Sequence, residues 1–516
     1  MTRVVTRVVG TPDEVACWLG PRDDLVREKV ATGDGQRSFE VASGPVRDYR
    51  RTVAVEELPG GLRAVTSTTE FSVAVPYFGW LFVLPARHAL RRIVTSGHQP
   101  WWAPPERLDS RAAAVLGVLA AASIIAGYLG TLLTQTITFA ADDFGAEGAR
   151  PQSYALALVR LGVLAAIALV TVADRRGRRP VIIACAVGGC LTAVVGAAAP
   201  SLAWLAASQT VARAFATALA VLVVIVAAEE VPRGSRAYAI SVLGMAGGLG
   251  AGACVLALPL ADVGPGGWRL VYVVPVTGLV LVRGIVRLLP ESRRFTAPHA
   301  HVALAGHGRR LVLLAASALL LAVFTAPSSQ LQNEFLRQER GFSASRIAIF
   351  TVFTVTPASI GIVLGGRLAD VRGRRLVGAV GLVGGVGATV VMFASAGWPL
   401  WAWSVVGSVL GGATLPALGV YGPELFPTSL RGRANGIVAL AGVLGSVAGL
   451  LIAGTLSDRL GGLGPTLAVL SLGPALLVVL VLVAYPETAQ RELEDLNPED
   501  PALPAITAPT PTPPLR

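Results

Sequence analysis

Residues 173–179 read Ala-Asp-Arg-Arg-Gly-Arg-Arg and residues 369–375 read Ala-Asp-Val-Arg-Gly-Arg-Arg, a spacing of 369 − 173 = 196. Two further pairs keep that spacing to within one residue. Glu229-x-x-Pro232-x-x-x-Arg236 returns as Glu424-x-x-Pro427-x-x-x-Arg431 at 424 − 229 = 195, and Pro290-Glu291-Ser292 returns as Pro486-Glu487-Thr488 at 486 − 290 = 196. Each pair follows the second, fourth or sixth long apolar run of its half. The shift covers an even number of runs, so both copies have the same orientation. This predicts a parallel repeat of six spans plus six, related by a pseudo-two-fold axis along the membrane normal, with a cavity between the halves.

Working outward, twelve apolar runs flank these signatures, at about 112–139, 152–173, 180–199, 202–228, 237–260, 267–289, 311–333, 346–369, 376–396, 399–423, 434–457 and 465–485. About 20 apolar residues cross a hydrocarbon core of roughly 30 Å. The 516-residue chain is 53% hydrophobic and 15% charged, where soluble proteins carry about 25% charged residues, and its mean hydropathy is +0.63. The expected fold class is therefore an all-α membrane protein of 12 transmembrane helices, preceded by a small α+β cytoplasmic domain. The four cysteines, Cys17, Cys185, Cys190 and Cys254, show no framework spacing and read as small packing residues. A net charge of +11 would point to nucleic acid in a soluble protein. Here the arginines flank apolar spans and set topology, so no nucleic-acid partner is expected and the bilayer is the partner. With the amino terminus inside, the inner loops hold Arg175, Arg176, Arg178, Arg179, Arg233, Arg236, Arg293, Arg294, Arg309, Arg310, Arg372, Arg374, Arg375, Arg431 and Arg433. The outer loops hold mainly Arg150, Arg337, Arg340 and Arg459. Both termini are expected to be cytoplasmic, in a multi-pass protein of the plasma membrane.

The expected domains are a soluble α+β domain at 1–97, a linker at 98–110, a six-helix bundle at 111–290, a cytoplasmic loop at 291–309, a second bundle at 310–486 and a disordered proline-rich tail at 487–516. In the first, a valine-rich strand precedes Thr11-Pro12-Asp13-Glu14, a helix start. Strand-like alternation follows in SFEVAS, DYRRTVAVEEL and LRAVTSTTEFSVAV, with Pro59-Gly60-Gly61 as a turn, and Tyr77 to Arg92 reads as a closing helix. No positively charged start with a cleavable apolar core is seen.

On these residues the chain resembles the major facilitator superfamily across about 108–495. GGRLADVRGRR matches that family's loop signature through Gly366, Asp370, Gly373, Arg374 and Arg375; the first copy has Val170 in place of the glycine. GPELFPTSLRGR, PESRRF and PETAQRELEDL resemble the sugar-porter and organic-ion or metabolite-symporter branches, and the Gly-Pro pair of drug antiporters is not found in span five. The first 95 residues are similar in pattern to start-related helix-grip domains, read either as a ligand or lipid sensor or as a docking module.

The resemblance implies alternating access. An inner gate network is assigned to Asp174, Arg178, Arg179, Glu229, Arg236, Asp370, Arg374, Arg375, Glu424 and Arg431, in which carboxylates and arginines bridge helix ends by charge-assisted bonds. The other reading is topogenic arginines with incidental acids. Intramembrane charges mark functional cavities. Arg213 lies 229 − 213 = 16 residues from Glu229, Arg160 lies 14 from Asp174 and Tyr128 lies 17 from Arg111, or about 24, 21 and 25 Å of helix. These three, with Gln330, Asn333 and Trp401, are the candidate substrate-binding residues. Gln332, Thr354, Thr414 and Trp403 are further polar or aromatic groups of the second half. The positions 196 after Arg160 and Arg213 are Thr356 and Val409, so the positive charge is one-sided. Leu129 stands where the sugar-porter pattern has an aspartate, and acids such as Asp142, Asp143, Asp262, Glu334 and Asp458 are placed near the outer ends. No histidine relay, metal or cofactor is expected, and no nucleophile–base pair lies within the spans. The chain is expected to be a secondary active or facilitative transporter of a small polar organic solute, sugar-like or an organic acid, and not an enzyme. An efflux antiporter and a non-transporting membrane sensor are the alternatives.

Overall fold

The computed structural model describes residues 1–31, 37–92, 99–146 except 101 and 105, 148–232, 235–291, 307–426 except 420, and 431–488. Trp101, Arg233, Arg293, Arg294, His299, His301 and the tail beyond Thr488 lie outside the described residues, as do the side chains of Asp174, Arg236, Gly366, Asp370, Glu424 and Arg431. Among the described residues the chain forms two compact units, one drawn from Met1–Phe144 and Leu161–Ala297, the other from Gly145–Arg160 and Pro298–Arg516.

The first unit begins with a five-stranded antiparallel sheet of β1 (Thr2–Gly10), β2 (Arg27–Val30), β3 (Arg37–Ser43), β4 (Val46–Glu57) and β5 (Arg63–Val73), in the order β1-β5-β4-β3-β2. β2 is a strand that the sequence reading did not include. Its four residues alternate too briefly to stand out, and it is held by pairing with β3 and by Glu28. Helix α1 (Pro12–Leu19) starts in a capping box: Thr11 Oγ1 accepts from Glu14 N while Glu14 Oε2 accepts from Thr11 N at 2.8 Å. Helix α2 (Gly79–Leu90) closes the domain. Val15 of α1 packs with Phe39, Val53 and Val65. Ala86 and Leu90 of α2 pack with Val4, Val46, Tyr49 and Phe71.

A charged cluster lies in the same interior. Arg51 donates to Glu28 from both Nε (2.8 Å) and Nη2 (2.7 Å), and to the Trp18 and Gly20 carbonyls. Tyr49 Oη donates to the same carboxylate at 2.6 Å. Arg22 pairs with Asp24 at 2.8 Å and donates to the Leu90 and Arg92 carbonyls, tying the end of α2 to the loop before β2. Both charges of the Arg51–Glu28 pair have fully buried side chains. Such a pair is tolerable only because its remaining donors and acceptors are met.

Among the described residues, twelve helices are long and apolar enough to cross a membrane: Ser110–Asp143, Ala149–Ala173, Arg178–Ala197, Leu202–Ala227, Tyr238–Val263, Trp268–Leu288, Gly308–Glu339, Ala344–Ile362, Arg374–Ala394, Trp398–Gly419, Ala434–Leu460 and Leu463–Ala484. They are numbered below as spans one to twelve. The duplication extends to their interruptions. Span two breaks between Arg160 and Gly162 and span eight between Val355 and Ala358, with restarts 358 − 162 = 196 residues apart. Span six breaks before Pro275 and span twelve at Ser471. Pro275 and Pro357 each lack an amide hydrogen, which accounts for two of the breaks. The first part of span two groups with the second unit, where Ser153 lies against Gly454 of span eleven so closely that a Cβ on Gly454 would fall 2.7 Å from that of Ser153.

Candidate functional site

The arginine-rich signatures fold into the same local structure in both halves. Gly177 and Gly373 each adopt φ +99°, and a Cβ on either would lie 2.7 or 2.8 Å from a carboxylate oxygen of Glu291 or Glu487. Only glycine suits that backbone and that approach. Past the glycine a helix begins, and the acid caps it. Arg178 N and Arg179 N donate to Glu291 at 2.8 and 3.3 Å; Arg374 N and Arg375 N donate to Glu487 at 3.0 and 3.2 Å. A carboxylate at a helix N-terminus meets orphan amides and the positive end of the helix dipole. The guanidinium of Arg179 then donates to the Val286 carbonyl and that of Arg375 to the Val481 carbonyl, at 2.8 and 3.3 Å. The start of each third or ninth span is thus tied to the end of the sixth or twelfth.

Two assigned gate residues meet directly: Arg178 forms an ion pair with Glu229. Beside it, Arg111 Nε donates to Glu230 at 3.2 Å and Arg111 Nη2 to the Glu291 carbonyl at 3.3 Å. Glu230, Glu291 and Glu487 were not among the predicted site residues. Glu291 and Glu487 could have been found, since both lie in the repeated Pro-Glu pair. Glu230 has no counterpart, because Leu425 follows Glu424.

Deeper in the first unit, Arg213 Nη1 donates to the Gly130 carbonyl of span one at 2.5 Å, and its buried Nε meets no acceptor among the described residues. Leu129, where the family resemblance implies an acid, is 5% exposed and lies against Gly189 of span three. Tyr128 is spent on structure: its hydroxyl donates to the Val271 carbonyl of span six at 2.9 Å.

The second unit gathers the other group. Gln330 and Asn333 are buried. With its amide oxygen turned toward Arg160, Gln330 accepts from Nε at 3.0 Å and also from Nη2. One turn on, Glu334 is 3% exposed and accepts from Gln152 Nε2 at 2.6 Å. Gln152 and Arg160 both stand on span two, so this cluster joins spans two and seven. The sequence reading placed Glu334 near the outer end but did not anticipate its burial, because the pairing crosses 182 residues. Trp401 joins neither group; its ring stacks edge-on with Phe350 at 4.9 Å and lies near Phe342. Among the described residues no group of three or more His, Cys, Asp or Glu could hold a metal ion.

This arrangement agrees with comparison to known proteins. The family profile of the Major Facilitator Superfamily matches residues 119–331 and again 312–511. A bacterial homologue of the human lysosomal transporter Spinster, in an inward-facing and unoccupied conformation, is 20% identical with a TM-score of 0.56, over 72% of this chain and 95% of its own. The E. coli xylose transporter XylE in its inward-open conformation is 15% identical with a TM-score of 0.63, over 75% and 99%. The nucleoside transporter NupG is 12% identical with a TM-score of 0.61, over 72% and 100%. No curated protein matches the chain. With both halves matched and twelve spans present, the chain belongs to the Major Facilitator Superfamily and is a multi-pass membrane transporter, not an enzyme.

Proposed function

We propose that the chain carries a small polar organic solute bearing an anionic or electron-rich group, by alternating access of its two repeats, as in the sugar-porter or organic-ion branch. One observation carries this reading: among the described residues, Arg213, within span four, has a single backbone carbonyl as its partner and a buried Nε with none. A guanidinium so placed seeks an anion. The duplicated carboxylate–arginine signatures act as the latch, in plasma membrane with both termini in the cytoplasm. The coupling does not use a proton on span one, since Leu129 occupies that position within packed side chains. Xylose and nucleosides, carried by XylE and NupG, are uncharged; the anionic preference rests on Arg213.

The test is a thermal-shift screen of purified protein against sugars, carboxylates and cations, since a ligand that binds the folded state stabilises it by mass action. A carboxylate should give the largest shift, and Arg213→Gln should abolish it. A cation as best ligand, or a carboxylate shift that survives Arg213→Gln, overturns the reading.

A further inference from the structure

Spans one and five cross where glycine lets their backbones touch: a Cβ on Gly127 would fall on the Gly247 backbone, and one on Gly250 would fall on that of Ile124. Before this crossing the two helices diverge. The wedge between them is closed on its third side by the soluble domain, through Val73, Phe78 and Phe82. That domain is fixed there. Tyr77, at φ +61° in the left-handed region, donates its hydroxyl to the Leu281 carbonyl at 2.9 Å and lies against Gly284. Glu106 N and the Glu106 carbonyl both bond Ser235 Oγ, at 2.8 Å each. A non-glycine residue held at positive φ signals that surrounding contacts dictate the backbone.

The wedge encloses a cavity of about 300 Å³. Leu116 and Ala120 of span one and Met245 and Leu249 of span five form its long walls. The one side-chain hydroxyl in the lining, that of Tyr238, is committed to the Trp102 carbonyl at 3.2 Å. Water would find few partners here, and a cavity so apolar does not hold it well. Nor does the cavity suit a polar transported solute. Met245 and Leu249 are 65% and 68% exposed, and they lie on a membrane-spanning helix. The cavity therefore opens through them at the surface of the first unit. Trp80, Leu81 and Leu84 of α2 are also exposed, at 71%, 50% and 73%, an apolar face of the kind a helix presents to a membrane surface.

We propose that this cavity holds one acyl chain of a bilayer amphiphile, entering past Met245 and Leu249 and wedged between the soluble domain and spans one and five. A methylene needs about the volume of a liquid water, roughly 30 Å³, so the space takes on the order of ten methylenes, most of one chain. The site is separate from Arg213 and Arg160, and it stands whether or not the anionic reading is correct. Its effect is to make docking of the soluble domain depend on lipid.

The full chain is placed in nanodiscs containing a phospholipid with a diazirine near the acyl terminus, irradiated, and its adducts mapped by peptide mass spectrometry. Adducts are expected on Phe82, Leu116 and Met245. Ala246→Phe, which fills the cavity, should abolish those on Phe82 and Leu116, and Met245→Trp, at the exposed mouth, should reduce them should the first variant not fold. Val280→Phe, on a 73% exposed position of span six, should leave them unchanged. Adducts absent from Phe82 and Leu116 in the parent protein, or present there and unaffected by both cavity variants, overturn the proposal.

Discussion

Replacing Gly373 with alanine isolates the chemistry of the arginine-rich signature. At φ +99° and ψ 142° the residue lies in a region that essentially only glycine enters, and a side chain there costs about 1–3 kcal/mol. The new Cβ also meets Glu487 Oε2 at 2.8 Å, which pushes the carboxylate off Arg374 N and Arg375 N. Loss of a helix N-cap costs about 0.5–2 kcal/mol. Together these predict a destabilisation of about 1.5–5 kcal/mol, read as a fall of several degrees in the apparent melting temperature of the purified protein. A double-mutant cycle separates the two parts. In a Glu487→Ala background the carboxylate is gone, so Gly373→Ala should cost only the backbone strain, and the pair should be less than additive by about 1 kcal/mol. Strict additivity would show that Glu487 does not act through this contact, and an unchanged melting temperature for Gly373→Ala would refute the backbone argument as well. Gly177→Ala with Glu291→Ala should behave in the same way.

Arg51→Met should unfold the soluble domain, since it strands the Glu28 carboxylate in the interior at a cost of about 3–5 kcal/mol, while Arg51→Met with Glu28→Leu should recover most of the loss; limited proteolysis reads both. Burial pushes the Tyr49 hydroxyl above its ordinary pKa of 10.0, and the fold favours the neutral phenol. Its contribution to stability is therefore complete below pH 10.0 and is lost as pH rises through the elevated value; a phenolate absorbance appearing together with domain unfolding, and not before it, checks this. Gln152→Leu should destabilise by about 1–3 kcal/mol, because it takes a buried donor from Glu334; a melting temperature equal to the parent's would deny that bond a role.

The spans and their number were legible because a twenty-residue apolar run is a strong, local signal, and the soluble strands because alternation is local too. β2 was not, for it is four residues long and held by β3 and by a carboxylate that meets Arg51 and Tyr49. Arg213 stood out in the sequence because a charge inside an apolar run is costly enough to need a reason. What Arg213 touches could not be read, since the Gly130 carbonyl is 83 residues away. The partner of Tyr128 could not be read for the same reason: its hydroxyl donates to a carbonyl 143 residues away. The break in span two left no proline to announce it, whereas Pro357 marks its counterpart.

The internal duplication itself separates framework from selectivity. Gly188 and Gly189 of span three recur as Gly384 and Gly385 of span nine, at 384 − 188 = 196. Both pairs lie under the next span: a Cβ on Gly188 would meet the Phe215 ring, and one on Gly385 would meet the Gly411 backbone. Span two likewise approaches span four at Gly162 and Thr210, and span eight approaches span ten at Gly361 and Val409. Close approach is thus repeated, as are the capping acids Glu291 and Glu487. The charge is not: Arg213 stands where the second half has Val409, and Arg160 where it has Thr356. A residue needed for packing or for helix capping is needed twice, because each half folds by the same rules. A residue that recognises an asymmetric solute is needed once. Arg213→Val would give the first half the side chain that the second already accommodates beside the same kind of helix contact, removing the cation at little cost to packing. Loss of ligand stabilisation with an unchanged melting temperature in the absence of ligand would place Arg213 on the selective side of that division.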